Sequence, residues 1–316
     1  NIMVVDTNPE FGIELVLTTP YAYWLHTQGK LDTVYTTKGM KPFYYFCNNI
    51  VEKYLHRTID NNAANMPSLP NGWLHHNAEA IMGKDYSLLT DKEKAQVNGV
   101  LDYSKWTPPP FKEMYKNDRF IFDKPIVIIN NCFNIESNTK PTRYFSIECL
   151  YEMFSYLTEK GYLVIYHRPK NKELPAQDQN ERNSEGLGDI EALVEDIGVI
   201  NDYQLTDHFD DVILFSDLCK SNKDLSFNEI QCMLYANCDK FISYVGGAGI
   251  LASYFGGTNI MWLSRGGESR KDYFKGDSYY KKLSSCNIIT VRDKKQTYPH
   301  QIENYKELLN TIKKTY

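Results

Sequence analysis

The chain has 316 residues, 42% of them hydrophobic and 24% charged, with a formal net charge of −5. That length can bury a substantial core and suits two domains or one large α/β unit. The acidic balance without a long basic run argues against nucleic acid as a partner, and no apolar run approaches a membrane span.

The chain opens with a predicted strand, Ile2–Val5, that ends at Asp6. A loop with Pro9 and Gly12 follows, then a helix over Ile13–Thr27 stopped by Gly29. Thr33–Thr36 reads as a second short strand, and Lys38–Asn49 is aromatic and irregular. Residues 61–106 are polar and turn-rich, with one helical patch at Asp91–Val100. The run Trp106-Thr-Pro-Pro-Pro110 is stiff and extended, and a domain boundary is placed there. The expected division is 1–110, 111–300 and a terminal helical segment 301–316.

After the prolines the pattern becomes regular. Ile126–Asn130 is a buried strand and Phe145–Glu159 a helix ended by Gly161. Tyr162–Tyr166 is a strand that leads into His167-Arg168-Pro169. Asn171–Gly188 reads as a loop, Asp189–Ile197 as a helical fragment, and Val212–Phe215 as a strand. Next come a helix (Phe227–Asn237), a strand (Lys240–Val245), a glycine turn, a second helix and a strand (Asn259–Leu263). Asn287–Val291 adds a last strand and His300–Lys314 a terminal helix. Continuous apolar strands alternating with helices indicate an α/β fold, with parallel sheets covered by helices on both faces.

Ligands of such sheets sit at the carboxyl ends of the strands. That rule selects Asn130 and Asn131, then His167 and Arg168, then the turn Gly246-Gly247-Ala248-Gly249, then Arg265. Together they offer amides, guanidinium groups and backbone N–H donors, which suit a diphosphate. Each alone also reads as a turn residue, a surface charge or tight helix packing. The turn is neither a dinucleotide fingerprint nor a Walker loop. Ser226 and Glu229 fit a capping box. In the first half, Asp6, Glu14 and His26 are candidates for a general base; Glu14 also suits a helix-dipole role and His26 an ordinary interfacial one. No metal is expected: His75-His76 has no ligand pattern around it, and no DxD triad occurs. Seven cysteines without CxxC spacing read as reduced thiols in a cytosol-like compartment.

The strand ending in HRP, the LSFNEIQ helix, the strand into GGAG and the FGGTNIMW segment resemble the donor-binding domain of GT-B glycosyltransferases. Those enzymes have two facing Rossmann-like domains. The segments FGIELVLTTPYAYWLH and KGMKPFYYF are similar to glycosyltransferases of large algal DNA viruses (chloroviruses). The resemblance implies transfer from a nucleotide-sugar donor to a glycan acceptor, inverting and metal-independent, with no bound cofactor. It gives Arg168 and the Gly246–Gly249 turn to the diphosphate and Glu229 to the nucleotide. HRP stands where a fucosyltransferase-type HxRRxD would fall, so the implied donor is a UDP-sugar such as UDP-xylose, or a GDP-sugar. The expected location is the cytoplasm, a host's cytoplasm if the chain is viral. Two other classes stay open: a methyltransferase using S-adenosylmethionine, and a non-catalytic glycan-binding protein.

Overall fold

Short apolar runs become parallel strands in both halves of the chain. The computed structural model describes residues 1–57, 66, 68–70, 73, 88, 90, 101–133, 144–170, 188–263, 279–292 and 305–316. They fall into two compact units, one over Asn1–Pro110 and one that takes in Phe111–Leu174 and Arg182–Tyr316. The expected helical patch at 91–100 lies outside the described residues, as does all of the expected loop at 171–188 except Gly188.

The first unit holds a sheet in the order β1 (Met3–Asp6), β2 (Leu31–Thr37) and β3 (Asn49–Tyr54), parallel throughout. Sequence reading missed β3, whose residues are mostly exposed and show no apolar alternation. The connection from β1 to β2 is helix α1, built from Phe11–Ile13, a π-helical turn Glu14–Thr18, and Thr19–Thr27. Pro20 explains the π turn. It has no N–H to give Val16, and its ring crowds that carbonyl, so the helix widens. The indole N–H of Trp106 supplies the missing donor to Val16 O at 2.6 Å, and Thr107 N bonds Pro20 O at 3.1 Å.

The second unit begins with α2 (Phe111–Tyr115), β4 (Ile126–Asn130), α3 (Ile147–Glu159) and β5 (Leu163–His167). An antiparallel hairpin follows, β6 (Glu191–Val194) and β7 (Gly198–Asn201). Then come α4 (Asp202–Thr206), β8 (Val212–Leu214), α5 (Phe215–Ser221), α6 (Phe227–Ala236) and β9 (Lys240–Tyr244). The described chain closes with α7 (Gly247–Ser253), β10 (Thr258–Leu263), α8 (Tyr279–Lys282), β11 (Asn287–Arg292) and α9 (Lys306–Thr315). The hairpin corrects the helical fragment expected at Asp189–Ile197. Asp196 at φ 67° and Gly198 at φ 100° make the reversal, and both conformations end a helix.

Six strands form one parallel sheet in the order β11-β10-β9-β4-β5-β8. The chain steps one way from β4 through β5 to β8, then returns and steps the other way from β9 to β11. The order therefore reverses between β4 and β9. Val127, Ile129, Val164, Ile242, Ile260 and Trp262 from the strands pack with Phe154 and Leu157 of α3 in one core. All seven cysteines are free thiols. Among the described residues no helix is long and apolar enough to cross a membrane.

Candidate functional site

In an open parallel sheet, ligands bind outside the carboxyl ends of the strands, where the order reverses. Here that point lies between Asn130 at the end of β4 and Gly246 after β9. The turn to α7 is made of backbone. Gly246 sits at φ 138°, a conformation that favours glycine, and no side chain caps the helix. Gly246, Gly247 and Ala248 are partly exposed and Gly249 is buried. A Cβ on Gly249 would come within 2.6 Å of Met261 Cε and 2.9 Å of Tyr244 O. Gly249 is thus the close-packing glycine of helix on sheet, and Gly246–Ala248 face outward.

The polar side chains at the strand ends are engaged inside the protein. Asn130 donates to Ser243 Oγ at 3.2 Å and accepts from the Tyr235 hydroxyl at 2.6 Å. Asn131 donates to Phe145 O and the Tyr166 hydroxyl at 3.1 and 3.0 Å, and accepts from Cys132 N and Phe145 N at 2.9 and 2.8 Å. His167 Nε2 meets Gln231 Oε1 at 2.9 Å, and the Gln231 amide donates to Asn228 at 3.2 Å. The imidazole packs on Phe215, with ring centres 3.9 Å apart.

Arg168, the expected diphosphate ligand, is buried beside Asp202. Its Nε and Nη2 make a two-point pair with that carboxylate, Nη2 at 2.7 Å, and Nη2 also reaches Asp189 at 3.1 Å. Burial alone would lower the arginine's pKa, but the Asp202 hydrogen bonds and the charge interactions with Tyr166, Asp202 and Tyr203 together outweigh it and raise the value. Burial, followed by the Asp202 charge, pushes the Tyr166 hydroxyl well above its ordinary value. Glu229 closes the capping box, accepting from Ser226 N at 2.7 Å while Ser226 Oγ accepts from Glu229 N at 3.2 Å. Arg265 lies outside the described residues, as does the His75-His76 pair.

The three base candidates of the first unit lie in different places. Val5 pairs with Val34 and Asp6 with Tyr35, so alternation puts Asp6 on the opposite face of the sheet from Val34 and Thr36. Glu14 is bonded to Thr36, on the Val34 side, at 2.5 Å. It also accepts from Tyr44 at 2.7 Å and from Arg57 at 2.5 Å, and neither side chain of the Glu14–Arg57 pair is exposed. Arg57 ties Pro9 O at 3.1 Å as well. His26 lies in the last turn of α1, about 18 Å along the axis from Glu14. A crossover helix runs against its strands, so His26 is near their amino ends, exposed beside Tyr23 and Phe46. Asp6 alone combines a strand carboxyl end with a partly exposed carboxylate, 31% by side chain. Tyr54 donates to its Oδ1, Lys53 reaches Oδ2 at 2.9 Å, and Ser68 Oγ bonds both its backbone N and O at 3.0 Å.

Asp202, Arg57, Tyr54 and Gln231 were not singled out from sequence. Only Asp202 had a local signal: Asn201-x-x-Gln204 is a capping box, and it places Asp202 at the first helical position.

No protein-family model matches the sequence, and no curated protein matches it. Solved structures match over the whole chain. The ADP-heptose lps heptosyltransferase II of E. coli superposes at a TM-score of 0.50 with 12% identity, over 99% of this chain and 100% of its own. An E. coli heptosyltransferase solved with ADP superposes at 0.51 with 9% identity, over 99% and 98%. At such identities the likeness defines the fold: α/β, with parallel sheets and helices, of the GT-B type.

Proposed function

We propose that the protein is a glycosyltransferase that moves a sugar from a nucleotide-diphosphate donor to a hydroxyl of a glycan acceptor. The reversal of strand order at β4 and β9, with an outward glycine turn after β9, carries this reading. Such a crevice suits a nucleotide, because glycine lets the backbone approach the diphosphate closely. The donor belongs to the second unit, with the Gly246–Ala248 backbone on the diphosphate and Glu229 toward the nucleotide. Arg168 acts there from inside, through its pair with Asp202. The acceptor belongs to the first unit, and Asp6 removes its proton as the anomeric centre inverts. Atoms balance: the acceptor oxygen bonds the anomeric carbon, the bond to the diphosphate oxygen breaks, and the nucleoside diphosphate departs. No divalent metal is required in this scheme, and the location is the cytoplasm.

The two E. coli proteins put ADP and ADP-sugars among the donors to try. The likeness of the N-terminal segments to algal-virus glycosyltransferases adds UDP-xylose, and a GDP-sugar completes the set. The test is a thermal-shift panel of ADP, UDP, GDP, their sugars and S-adenosylmethionine, with and without EDTA. A nucleoside diphosphate at about 100 times its Kd stabilises by about 2.7 kcal/mol. A shift that survives EDTA is expected. A shift with S-adenosylmethionine alone would replace this reading with a methyltransferase, and no shift with any ligand would leave a glycan-binding protein. Given a turnover assay, Asp6→Asn is expected to lower kcat by about 10²–10⁴ without changing the melting temperature. Undiminished kcat would remove Asp6 from the chemistry.

A further inference from the structure

Asp202 opens α4 with no exposed surface. Its Oδ1 accepts from Arg168 Nη2 at 2.7 Å, and its Oδ2 accepts from Arg168 Nε and, at 2.6 Å, from the Tyr166 hydroxyl. An ionised carboxylate is an acceptor only, so the Tyr166 proton points at Asp202. The Tyr166 oxygen then has only lone pairs for Asn131, and it takes the Nδ2 amide at 3.0 Å. The backbone orients Asn131 the same way. Its oxygen faces Cys132 N and Phe145 N at 2.9 and 2.8 Å, and its nitrogen faces Phe145 O at 3.1 Å. The reverse orientation would set an NH₂ group against two N–H donors. The Asp202 charge sets the direction of the Tyr166 bond, this agrees with the orientation that the two backbone N–H groups impose on Asn131, and the line ends beside the reversal between β4 and β9.

We propose that Asp202, Tyr166 and Asn131 are positioning residues for the nucleotide: a polarity relay that holds the backbone at the end of β4 where the donor binds. The inference rests on the nucleotide-sugar reading above. In it, Arg168 pairs with Asp202 instead of gripping phosphate, and Tyr166 carries the hydrogen bonding of that pair on to Asn131. Without the hydroxyl, the Asn131 amide keeps its backbone partners but loses the bond that ties it to β5, and the chain at Cys132 and Phe145 loosens.

The experiment uses Tyr166→Phe, which keeps the ring, with Asp202→Asn as second variant and Tyr316→Phe as control. The Tyr316 hydroxyl is also bonded within the second unit, but to Phe241 and Thr258, at the amino ends of β9 and β10. Two quantities are read on the full chain: the Kd of the nucleoside diphosphate that binds wild type, and hydrogen exchange at the Cys132 and Phe145 amides. Tyr166→Phe is expected to weaken the nucleotide about ten-fold and speed both amides, the loss of one buried hydrogen bond. The donor KM should rise in step while kcat stays within about two-fold. Tyr316→Phe should lower the melting temperature and leave Kd unchanged. An unchanged Kd in Tyr166→Phe, or an equal loss in Tyr316→Phe, would overturn the relay. Wild-type protein that binds no nucleoside diphosphate would refute the nucleotide reading itself. The exchange data would then still show whether Tyr166 orders Cys132 and Phe145; unchanged exchange there would end the relay on its own.

Discussion

Among the described residues each unit buries an arginine–carboxylate pair near the carboxyl end of its parallel strands, and the two are built differently. In the first, Glu14 comes from the π turn of α1 and Arg57 follows β3; both side chains are sealed from solvent, with Thr36 and Tyr44 filling the acid. In the second, Arg168 leaves β5 directly and Asp202 starts α4. That pair opens on one side to Asp189, which Lys170 also holds at 2.8 Å. Pairing buried charges roughly offsets the cost of taking them out of water, so neither pair is a large net source of stability. What they supply is placement. The sealed pair ties the β1–α1 loop at Pro9, and the open one sets hydrogen-bond directions toward the end of β4.

The widest break in this comparison is to strand one charge. Arg57→Met and Arg168→Met are each expected to cost about 3–5 kcal/mol in urea unfolding, because a buried carboxylate loses its partner. Removing both members should separate the roles. Glu14→Leu/Arg57→Met and Arg168→Met/Asp202→Leu should each regain most of the lost stability. Only the second double variant should still bind nucleotide poorly. If it binds like wild type, the open pair is merely structural.

A steric break comes next. The second unit lays α7 on its sheet through a close backbone approach instead of charge, and Gly249→Val would push Met261 and the Tyr244 carbonyl. A loss of about 1–3 kcal/mol is expected; a neutral result in urea titration would mean that α7 shifts freely.

The smallest effect lies in the satellite of the open pair. Burial pushes the Asp189 pKa up, but the hydrogen bonds and charges of Lys170 and Arg168 together overcome it and hold the carboxyl below its usual 3.8. A depressed carboxylate stabilises the fold fully above the unfolded value, and this is lost as pH falls through the folded one. Asp189→Asn should therefore cost at most about 1 kcal/mol at pH 7. The gap from wild type should close in strong acid. A gap that persisted at about pH 2 would place the effect elsewhere than in the charge.

How legible these features were in sequence depended on the distance over which they act. The run Ile126–Asn130 read as a buried strand because all five residues are buried, which leaves an unbroken apolar word. The helix at Phe227 announced itself through Ser226 and Glu229, and the structure closes that capping box. The hairpin after Asp189 deceived because Ile190, Leu193, Val194 and Ile197 repeat at helical spacing, while the turn at Asp196 and Gly198 decides otherwise. The site was least legible. Arg168 and Asp202 are 34 residues apart, and Glu14 and Arg57 are 43 apart. A charged residue at a strand end looks the same whether it awaits a ligand or already has a partner. Nor does local pattern reveal that Asp6 and Glu14 lie on opposite faces of the sheet, since that follows from strand register.

The reversal at β4 and β9 also shapes how the chain is made. β4 takes its second neighbour from a strand that begins about 110 residues after it ends. Ribosomes add about 5–20 residues per second, so β4 waits some 5–20 s with one edge unpaired. An apolar strand with an open edge is a template for aggregation, and the contact that covers it is among the slow, non-local kind. The feature that creates the crevice thus makes the newborn second unit vulnerable until β9 has left the ribosome.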